Sequence, residues 1–343
     1  MLKRNSAVAA ILVLMLAARA FGQREHMTAG QREASMHHGQ MAMHHATSMT
    51  AKLEVTDDAA AQKLNARVGP VKLPAHADHM AVAQPRDFFL TIPFDGWLIA
   101  FHPRLADGSG APVNAKVLHH VAFWNVSRPD FLCSNKEEHI FGAGGEMNDW
   151  PGIPGFGYRV RKGDKIRIST MFANPTDTTY PEVYLDVQME YRPASPDAAA
   201  IKSVYPVWFD VEECRDSGYD LAPGKSTNVG KFTMKYSGEL LGVGGHLHDY
   251  GRALALEDVT HRQTIAKLDP KLDPSGMLMS MPVVSFADRG GYRLDQGQVL
   301  KVTATYDNPT GKYLSGGAMG IVVGYFLPDQ DSAFVALERR PAR

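Results

Sequence analysis

Short apolar or alternating runs fill the chain from about residue 85 to residue 330, and turns rich in Gly, Pro, Asp and Asn separate them. Such runs predict β-strands, because successive side chains of a strand face opposite sides and because these turn residues interrupt strands. The region has no alternation of strands with helices, so the pattern is typical of an all-β sandwich. The runs that predict strands are 88–92, 97–102, 116–124, 165–172, 183–191, 205–211, 230–236, 240–250, 252–258, 264–268, 279–286, 299–306 and 319–327.

The strand pattern breaks at residues 193–197, which read Pro-Ala-Ser-Pro-Asp and predict a domain linker. We therefore expect two β-sandwich domains in tandem, the first over residues 85–194 and the second over residues 198–338. A length of 343 residues with 44% hydrophobic residues is sufficient for two packed cores.

The first 20 residues have the pattern of an export signal. Lys3 and Arg4 give a positive start, residues 7–18 form an apolar run too short to span a bilayer, and residues 18–20 fit a small-x-small cleavage site. No later run is long and apolar enough to cross a membrane. We therefore expect residues 1–20 to be a signal peptide, and the mature protein to be periplasmic or secreted, without a membrane span.

Residues 21–84 lack apolar periodicity, and we expect them to be disordered. The segment is rich in both His and Met, and thioether sulfur suits Cu(I) while imidazole suits Cu(II), Zn and Ni. We interpret it as a metal-binding tail, although a polar tail with a chance bias would have the same composition. Its His and Met residues are His26, Met27, Met36, His37, His38, Met41, Met43, His44, His45 and Met49, and His76, His79 and Met80 follow further on.

The formal net charge of −1 gives no reason to expect a nucleic-acid partner. Cys133 and Cys214 could form one disulfide in an oxidising compartment. Sequence does not show whether they are close, so two unpaired thiols are an equal alternative. The sequence also leaves the oligomeric state open.

Two histidine pairs and one methionine carry the candidate metal chemistry. His246 and His248 stand at i and i+2 of a predicted strand, so both side chains point to the same face and can bind one ion. His119 and His120 are adjacent, so joint binding requires a bulge or a strand end. Met319 lies in an apolar strand, where methionine serves either as core filler or as a soft ligand.

Four motifs follow one another along the predicted strands. They are Phe101-His102-Pro103-Arg104 with Val117-Leu118-His119-His120-Val121, Gly155-Phe156-Gly157-Tyr158-Arg159-Val160, His246-Leu247-His248, and Met319 in a strand ending Gly324-Tyr325-Phe326. In this order they resemble the copper type II, ascorbate-dependent monooxygenases, the family of peptidylglycine α-hydroxylating monooxygenase and dopamine β-monooxygenase. Each motif alone is weak, but together they cover residues 85–330.

The resemblance implies two jelly-roll-like β-sandwiches that each bind one copper ion and face one another across a solvent-filled cleft. It implies that His119 and His120 bind the copper that stores an electron. His246, His248 and Met319 would bind the copper at which O₂ binds and hydrogen is abstracted, and would be the catalytic residues. Ascorbate or another one-electron reductant would be the co-substrate.

This sequence departs from the family at several positions. The family's third histidine at the electron-storing copper corresponds to Met171, which we take as a ligand because thioether sulfur suits Cu(I). An arginine and a tyrosine that hold the peptide in the amidating enzyme correspond to Gly244 and Val323, so peptidylglycine is not the expected substrate. The family's many disulfides are missing from a chain with two cysteines.

Two hypotheses follow. The first is an exported copper monooxygenase that uses O₂ to hydroxylate a C–H bond of an unknown small-molecule or peptide-like substrate. The second is a non-catalytic copper-binding protein on the same scaffold, which serves copper capture, delivery or tolerance. We expect His102 and His139 at the surface, and Glu146 and Asp149 either beside the metal ligands or in an ordinary loop.

Overall fold

The computed structural model describes residues 50–147, 149–198 and 200–337 of the chain. Over these residues the protein consists almost entirely of β-strands, which confirms the predicted all-β class, and its α-helix is α1 (Asp331–Leu337). The strands of the first half are β1 (Lys52–Asp58), β2 (Lys63–Leu73), β3 (Phe88–Thr91), β4 (Gly96–Asp107), β5 (Leu118–Pro129), β6 (Glu137–Gly144), β7 (Phe156–Val160), β8 (Lys165–Phe172) and β9 (Tyr180–Pro193). The strands of the second half are β10 (Lys202–Asp210), β11 (Tyr219–Leu221), β12 (Gly224–Thr233), β13 (Gly238–Leu247), β14 (Gly251–Asp258), β15 (Gln263–Lys267), β16 (Lys271–Leu272), β17 (Leu278–Ser280), β18 (Val284–Ser285), β19 (Tyr292–Leu294), β20 (Val299–Asn308), β21 (Leu314–Ala318) and β22 (Gly320–Pro328).

Each half is a sandwich of two sheets around its own hydrophobic core. In the first half β2-β9-β4-β7 pack on β3-β8-β5-β6, and in the second half β10-β22-β13-β19 pack on β12-β20-β14-β15. Buried apolar side chains alternate along these strands, as expected where one face of a sheet meets the core. The predicted linker at residues 193–197 falls between the strands of the two cores.

The two halves share one continuous sheet. β7 and β10 pair in parallel over residues 156–158 and 202–204, so the sheet of the first half continues into the second. Cys133 and Cys214 form a disulfide, with their Cα atoms 5.3 Å apart, and it links the segment after β5 to the segment after β10. The described residues accordingly form one compact unit.

The second half repeats the construction of the first. Asn174 follows β8 and Asn308 ends β20, and the side-chain NH₂ group of each lies within hydrogen-bond distance of three backbone carbonyl oxygens. Thr176 and Thr310, each two residues further on, donate their hydroxyl groups to the asparagine side-chain oxygens. The same loop therefore occupies the same place in both sandwiches.

The prediction of disorder over residues 21–84 is wrong for residues 52–73, which form β1 and β2. β2 pairs with β9 and buries Leu64, Ala66 and Val68 on alternate positions, a period-2 pattern that the intervening polar residues obscured. The signal peptide predicted at residues 1–20 and the His/Met-rich stretch up to residue 49 lie outside the described residues. Within the described ranges, no helix is long and apolar enough to cross a membrane.

We expect the disulfide to contribute substantially to stability, because it closes a loop between cysteines 81 residues apart. Loop-closure entropy for a loop of this length corresponds to about 4 kcal/mol. The double variant Cys133→Ala/Cys214→Ala should lower the free energy of unfolding by roughly that amount, as measured by urea denaturation. Wild-type protein in reductant should match the variant. Equal stability of oxidised and reduced wild-type protein would contradict this expectation.

Candidate functional site

A bulge at the start of β5 turns two adjacent histidines to one side of the sheet. Leu118 pairs with Phe172 and His120 pairs with Met171, so His119 is an extra residue in β5. Adjacent residues of a regular strand face opposite sides of the sheet, so a bulge of this kind is required for His119 and His120 to bind one ion together. The ring centres of His119 and His120 lie 5.2 Å apart. Met171, half-buried on β8, stands directly across from His120.

The second histidine pair lies at the end of β13. His246 is in the strand and His248 follows its last residue, with ring centres 5.4 Å apart and the rings nearly perpendicular. The exposed fraction of His248 is 8%, and that of the His246 side chain is 14%. Both imidazoles are therefore largely withdrawn from water.

The two pairs meet. The ring centres of His119 and His248 are 4.7 Å apart, and the ring of His79 stacks on His119 at 5.1 Å with an angle of 6° between the planes. His79, His119, His120, His246 and His248 thus form one histidine cluster across the two halves. The solvent-filled cleft implied by the resemblance is closed here, because the predicted ligands of the two sites are in contact.

Glu146 joins the first half to the second within this cluster. Its Oε1 atom lies 2.8 Å from Nδ1 of His246. The close approach depends on Gly144, where a Cβ atom would lie 2.9 Å from Cε1 of His246 and 2.6 Å from Oε2 of Glu146. A side chain at this position would displace the carboxylate of Glu146 and the imidazole of His246.

Tyr306 fixes the second histidine pair relative to Met319. Its buried hydroxyl accepts hydrogen bonds from the backbone N–H of His248 at 2.9 Å and from that of Met319 at 3.1 Å, and donates to the carbonyl of Met319. One hydroxyl group on β20 therefore ties the end of β13 to the residue that precedes β22. Met319 and His246 in turn line the same cavity.

That cavity has a volume of about 120 Å³ and lies between the two halves. Its wall is mostly apolar, and the polar groups that reach it include His120, Glu146 and His246. The first half contributes His120, Val121, Ala122, Trp124, His139, Gly142, Ala143 and Glu146, and the second contributes Trp208, Ser217, Gly245, His246, Met319, Ile321 and Val323.

The surface position expected for His139 is wrong. Its ring is sandwiched between the indoles of Trp124 and Trp208, with 3.9 Å between its centre and that of Trp208. Residues on the outer face of β6 are covered because β10 of the second half packs over them. The carboxylate of Asp149 contacts the ring of His102, which lies outside the histidine cluster.

Burial keeps most of the clustered imidazoles neutral. It lowers the pKa of His120 to about 4 and, with repulsion from neighbouring imidazoles, lowers the pKa values of His119 and His248 well below the ordinary value. Burial alone would also lower the pKa of His246, but the Glu146 carboxylate raises it. Metal binding requires neutral imidazole, and three of these four histidines are already in that form at neutral pH.

Three imidazole nitrogens are buried without a hydrogen-bond partner among the described residues. They are Nδ1 of His120, Nε2 of His246 and Nε2 of His248. As the side chains stand, no described group of three or more His, Cys, Asp or Glu residues is arranged to hold a metal ion. Two imidazoles that share an ion at about 2.0 Å have ring centres about 5 Å apart, which is the spacing found here. The spacing of the rings is therefore compatible with pairs of these imidazoles sharing an ion.

Several residues of the cluster were not identified from the sequence. The sequence pattern predicts that His79 belongs to the disordered segment, and it is compatible with Glu146 either beside the metal ligands or in an ordinary loop. The run Gly142–Gly145 before Glu146 was a usable signal, since consecutive small residues in a strand mark a close approach of another backbone or ligand. Tyr306 carried no signal, because its role depends on the pairing of distant strands.

No protein-family model and no curated protein matches the chain. Among solved structures, it is similar to the major capsid protein P2 of bacteriophage PM2, at 11% identity and a TM-score of 0.31, over 77% of this chain and 98% of that one. It is also similar to PNGF-II, at 10% identity and a TM-score of 0.35, over 83% of this chain and 63% of that one.

Removal of the Tyr306 hydroxyl should loosen the second histidine pair. In Tyr306→Phe, the N–H groups of His248 and Met319 lose their acceptor, so we expect the free energy of unfolding to fall by about 2 kcal/mol. Tyr219→Phe is the matched control, because the buried Tyr219 hydroxyl has no partner among the described residues and its ring packs on Tyr306. Urea denaturation of both variants measures the difference, and equal effects would contradict this role.

Proposed function

We propose that this chain is an exported, copper-dependent monooxygenase-like oxidoreductase. It hydroxylates a C–H bond of a small substrate with O₂ and a one-electron reductant such as ascorbate. The observation that carries the proposal is the meeting of two histidine pairs, distant in sequence, beside an apolar cavity at the junction of the two halves.

The donor set fits copper. Imidazole and thioether groups together stabilise Cu(I), and the cluster offers both, with buried nitrogens that are otherwise unsatisfied. His119 and His120, with Met171 beside them, would hold one ion, while His246, His248 and Met319 would hold a second. Bound copper would supply electron storage and the reduction of O₂. A buried nitrogen without a hydrogen-bond partner costs about 1–3 kcal/mol, and metal binding would offset this desolvation cost.

The cavity limits the substrate class. A cavity of about 120 Å³ is slightly smaller than the apolar cavity of about 150 Å³ that holds benzene in another protein. Trp124, Trp208, Ile321 and Val323 give it an apolar wall, so the favoured substrate is a small apolar or aromatic molecule. A peptide-like substrate is too large for this space.

Two observations support export. The first residues have the pattern of a signal peptide, and Cys133 and Cys214 are disulfide-bonded. Disulfides persist in oxidising compartments, which include the periplasm and the extracellular space. A periplasmic or secreted location also gives access to O₂ and to small reductants.

A non-catalytic copper-binding protein is the second candidate. The contact between the rings of His119 and His248 favours it, because the predicted ligands are packed on one another rather than open to a wide cleft. Such a protein would release copper to an acceptor and would show no oxygenase turnover.

The deciding experiment measures copper content and ascorbate-driven O₂ consumption on the full mature chain. We expect the double variant His246→Ala/His248→Ala to lose one copper equivalent and the O₂ consumption. The control is His76→Ala, since this histidine is largely exposed and bonds to Asp177 away from the cluster. Stable copper binding by wild-type protein without turnover, in a screen of small apolar substrates, would instead select the non-catalytic function.

Glu146 should strengthen copper binding through His246. A carboxylate that bonds to one imidazole nitrogen orients the ring and raises the basicity of the other nitrogen, and its loss typically costs 10–100-fold in affinity. We therefore expect Glu146→Gln to weaken copper binding by roughly that factor at about pH 8. Asp149→Asn is the control, because Asp149 bonds to His102 instead. Competition with a chelator of known affinity gives both values.

The same variant should change the pH profile. Glu146 raises the pKa of His246, so protons compete with copper for this imidazole as the pH falls through that raised value. Without the carboxylate, burial lowers the pKa, and the fall in affinity should move to lower pH. Titrations between about pH 8 and about pH 5 test this. A shift to higher pH would contradict the assigned role of Glu146.

A further inference from the structure

The loop between β2 and β3 contributes His79 to the cluster. This residue belongs to none of the motifs that resemble the monooxygenase family. The His79 ring lies parallel to the His119 ring at 5.1 Å, while His119 lies 5.2 Å from His120. Each neighbouring pair in this row therefore has the spacing of about 5 Å that two imidazoles sharing an ion would have.

Gln84 holds this loop in place. Its side-chain amide donates to the carbonyl of His79 and to the carbonyl of Phe172, each at 2.8 Å, and its side-chain oxygen accepts from the N–H of Phe172, also at 2.8 Å. The loop thus joins the end of β8 immediately after Met171, across from the bulge of β5. The backbone of Ala77 adds a bridge to Asn174.

This arrangement would be costly without a ligand. A loop residue at the surface is free to turn its imidazole into water, and ordering such a side chain costs conformational entropy. Here the buried amide of Gln84 uses all three hydrogen bonds to fix the loop, with His79 facing two other imidazoles. Metal coordination by His79 would offset that cost.

We propose that His79 is the third imidazole ligand of the metal bound by His119 and His120, and that Gln84 is its positioning residue. The assignment rests on the proposed copper function. It replaces Met171 as the third ligand, since His79 is a nitrogen donor that binds both Cu(I) and Cu(II).

The test uses the full mature chain in the His246→Ala/His248→Ala background, so that only the first ligand set remains in the cluster. His79→Phe keeps an aromatic ring on His119 but removes the nitrogen donor, and His76→Phe is the control on the same loop. We expect His79→Phe to lower copper affinity at least about tenfold and to remove one nitrogen from the Cu(II) electron paramagnetic resonance pattern. The control should retain both.

The variant Gln84→Met tests the position of the His79 loop separately from the presence of the His79 nitrogen donor. The substitution preserves the side-chain volume but removes three hydrogen bonds, so the loop should detach while His79 remains in the chain. We expect a loss of copper affinity in the same direction as for His79→Phe, with the wild-type nitrogen count recovered only at high copper concentration. Wild-type affinity in Gln84→Met would overturn its positioning role.

The outcomes for His79 and for the proposed function are distinguishable. An unchanged affinity and nitrogen count in His79→Phe overturns the His79 assignment, whatever the activity of the wild-type protein. Copper binding that depends on His79 in a protein without O₂ turnover upholds the assignment and overturns the monooxygenase proposal. A wild-type cluster that binds no copper overturns both.

Discussion

The close contact between the two sandwiches is the constraint on which the site depends. The carboxylate of Glu146 from one half meets the imidazole of His246 from the other at 2.8 Å, and a glycine at position 144 leaves room for this approach. The contact removes water from the cluster, so the neutral forms of His119, His120 and His248 predominate and buried ring nitrogens are left without hydrogen-bond partners among the described residues. The shielding of these imidazoles from water is therefore a product of packing between the halves, and neither half provides it alone.

The sequence was sufficient for the fold class and for the residues with a local signature. The alternation of apolar positions predicted the strands, and the i, i+2 spacing predicted that His246 and His248 share a face. A bulge allows His119 and His120 to face the same side, and the structure has one. From the sequence alone, the bulge could be named as a requirement but not predicted. Met171 illustrates the limit, because its position opposite His120 follows from strand pairing, while its role as a ligand remains a prediction.

The remaining features depend on contacts between residues far apart in the chain. His79 was placed in a polar tail because β2 carries its apolar residues on alternate positions among charged ones, and the loop after it has no periodicity of its own. His139 was expected at the surface because the period of a strand identifies its outer face, but not what covers that face. Tyr306 and Gln84 act through backbone groups of other strands, and such partners leave no pattern in a single sequence.

The parallel pairing of β7 with β10 determines how the cavity can be reached. A sheet that runs unbroken through both halves, with a disulfide nearby, resists the hinge rotation by which two-domain proteins commonly open their binding sites. Small molecules would then reach the cavity past the side chains that line it, such as the stacked ring of His139 between Trp124 and Trp208, rather than by separation of the two halves. Under the proposed function, the width of this junction would therefore select molecules by size before any contact with the ligand set is made.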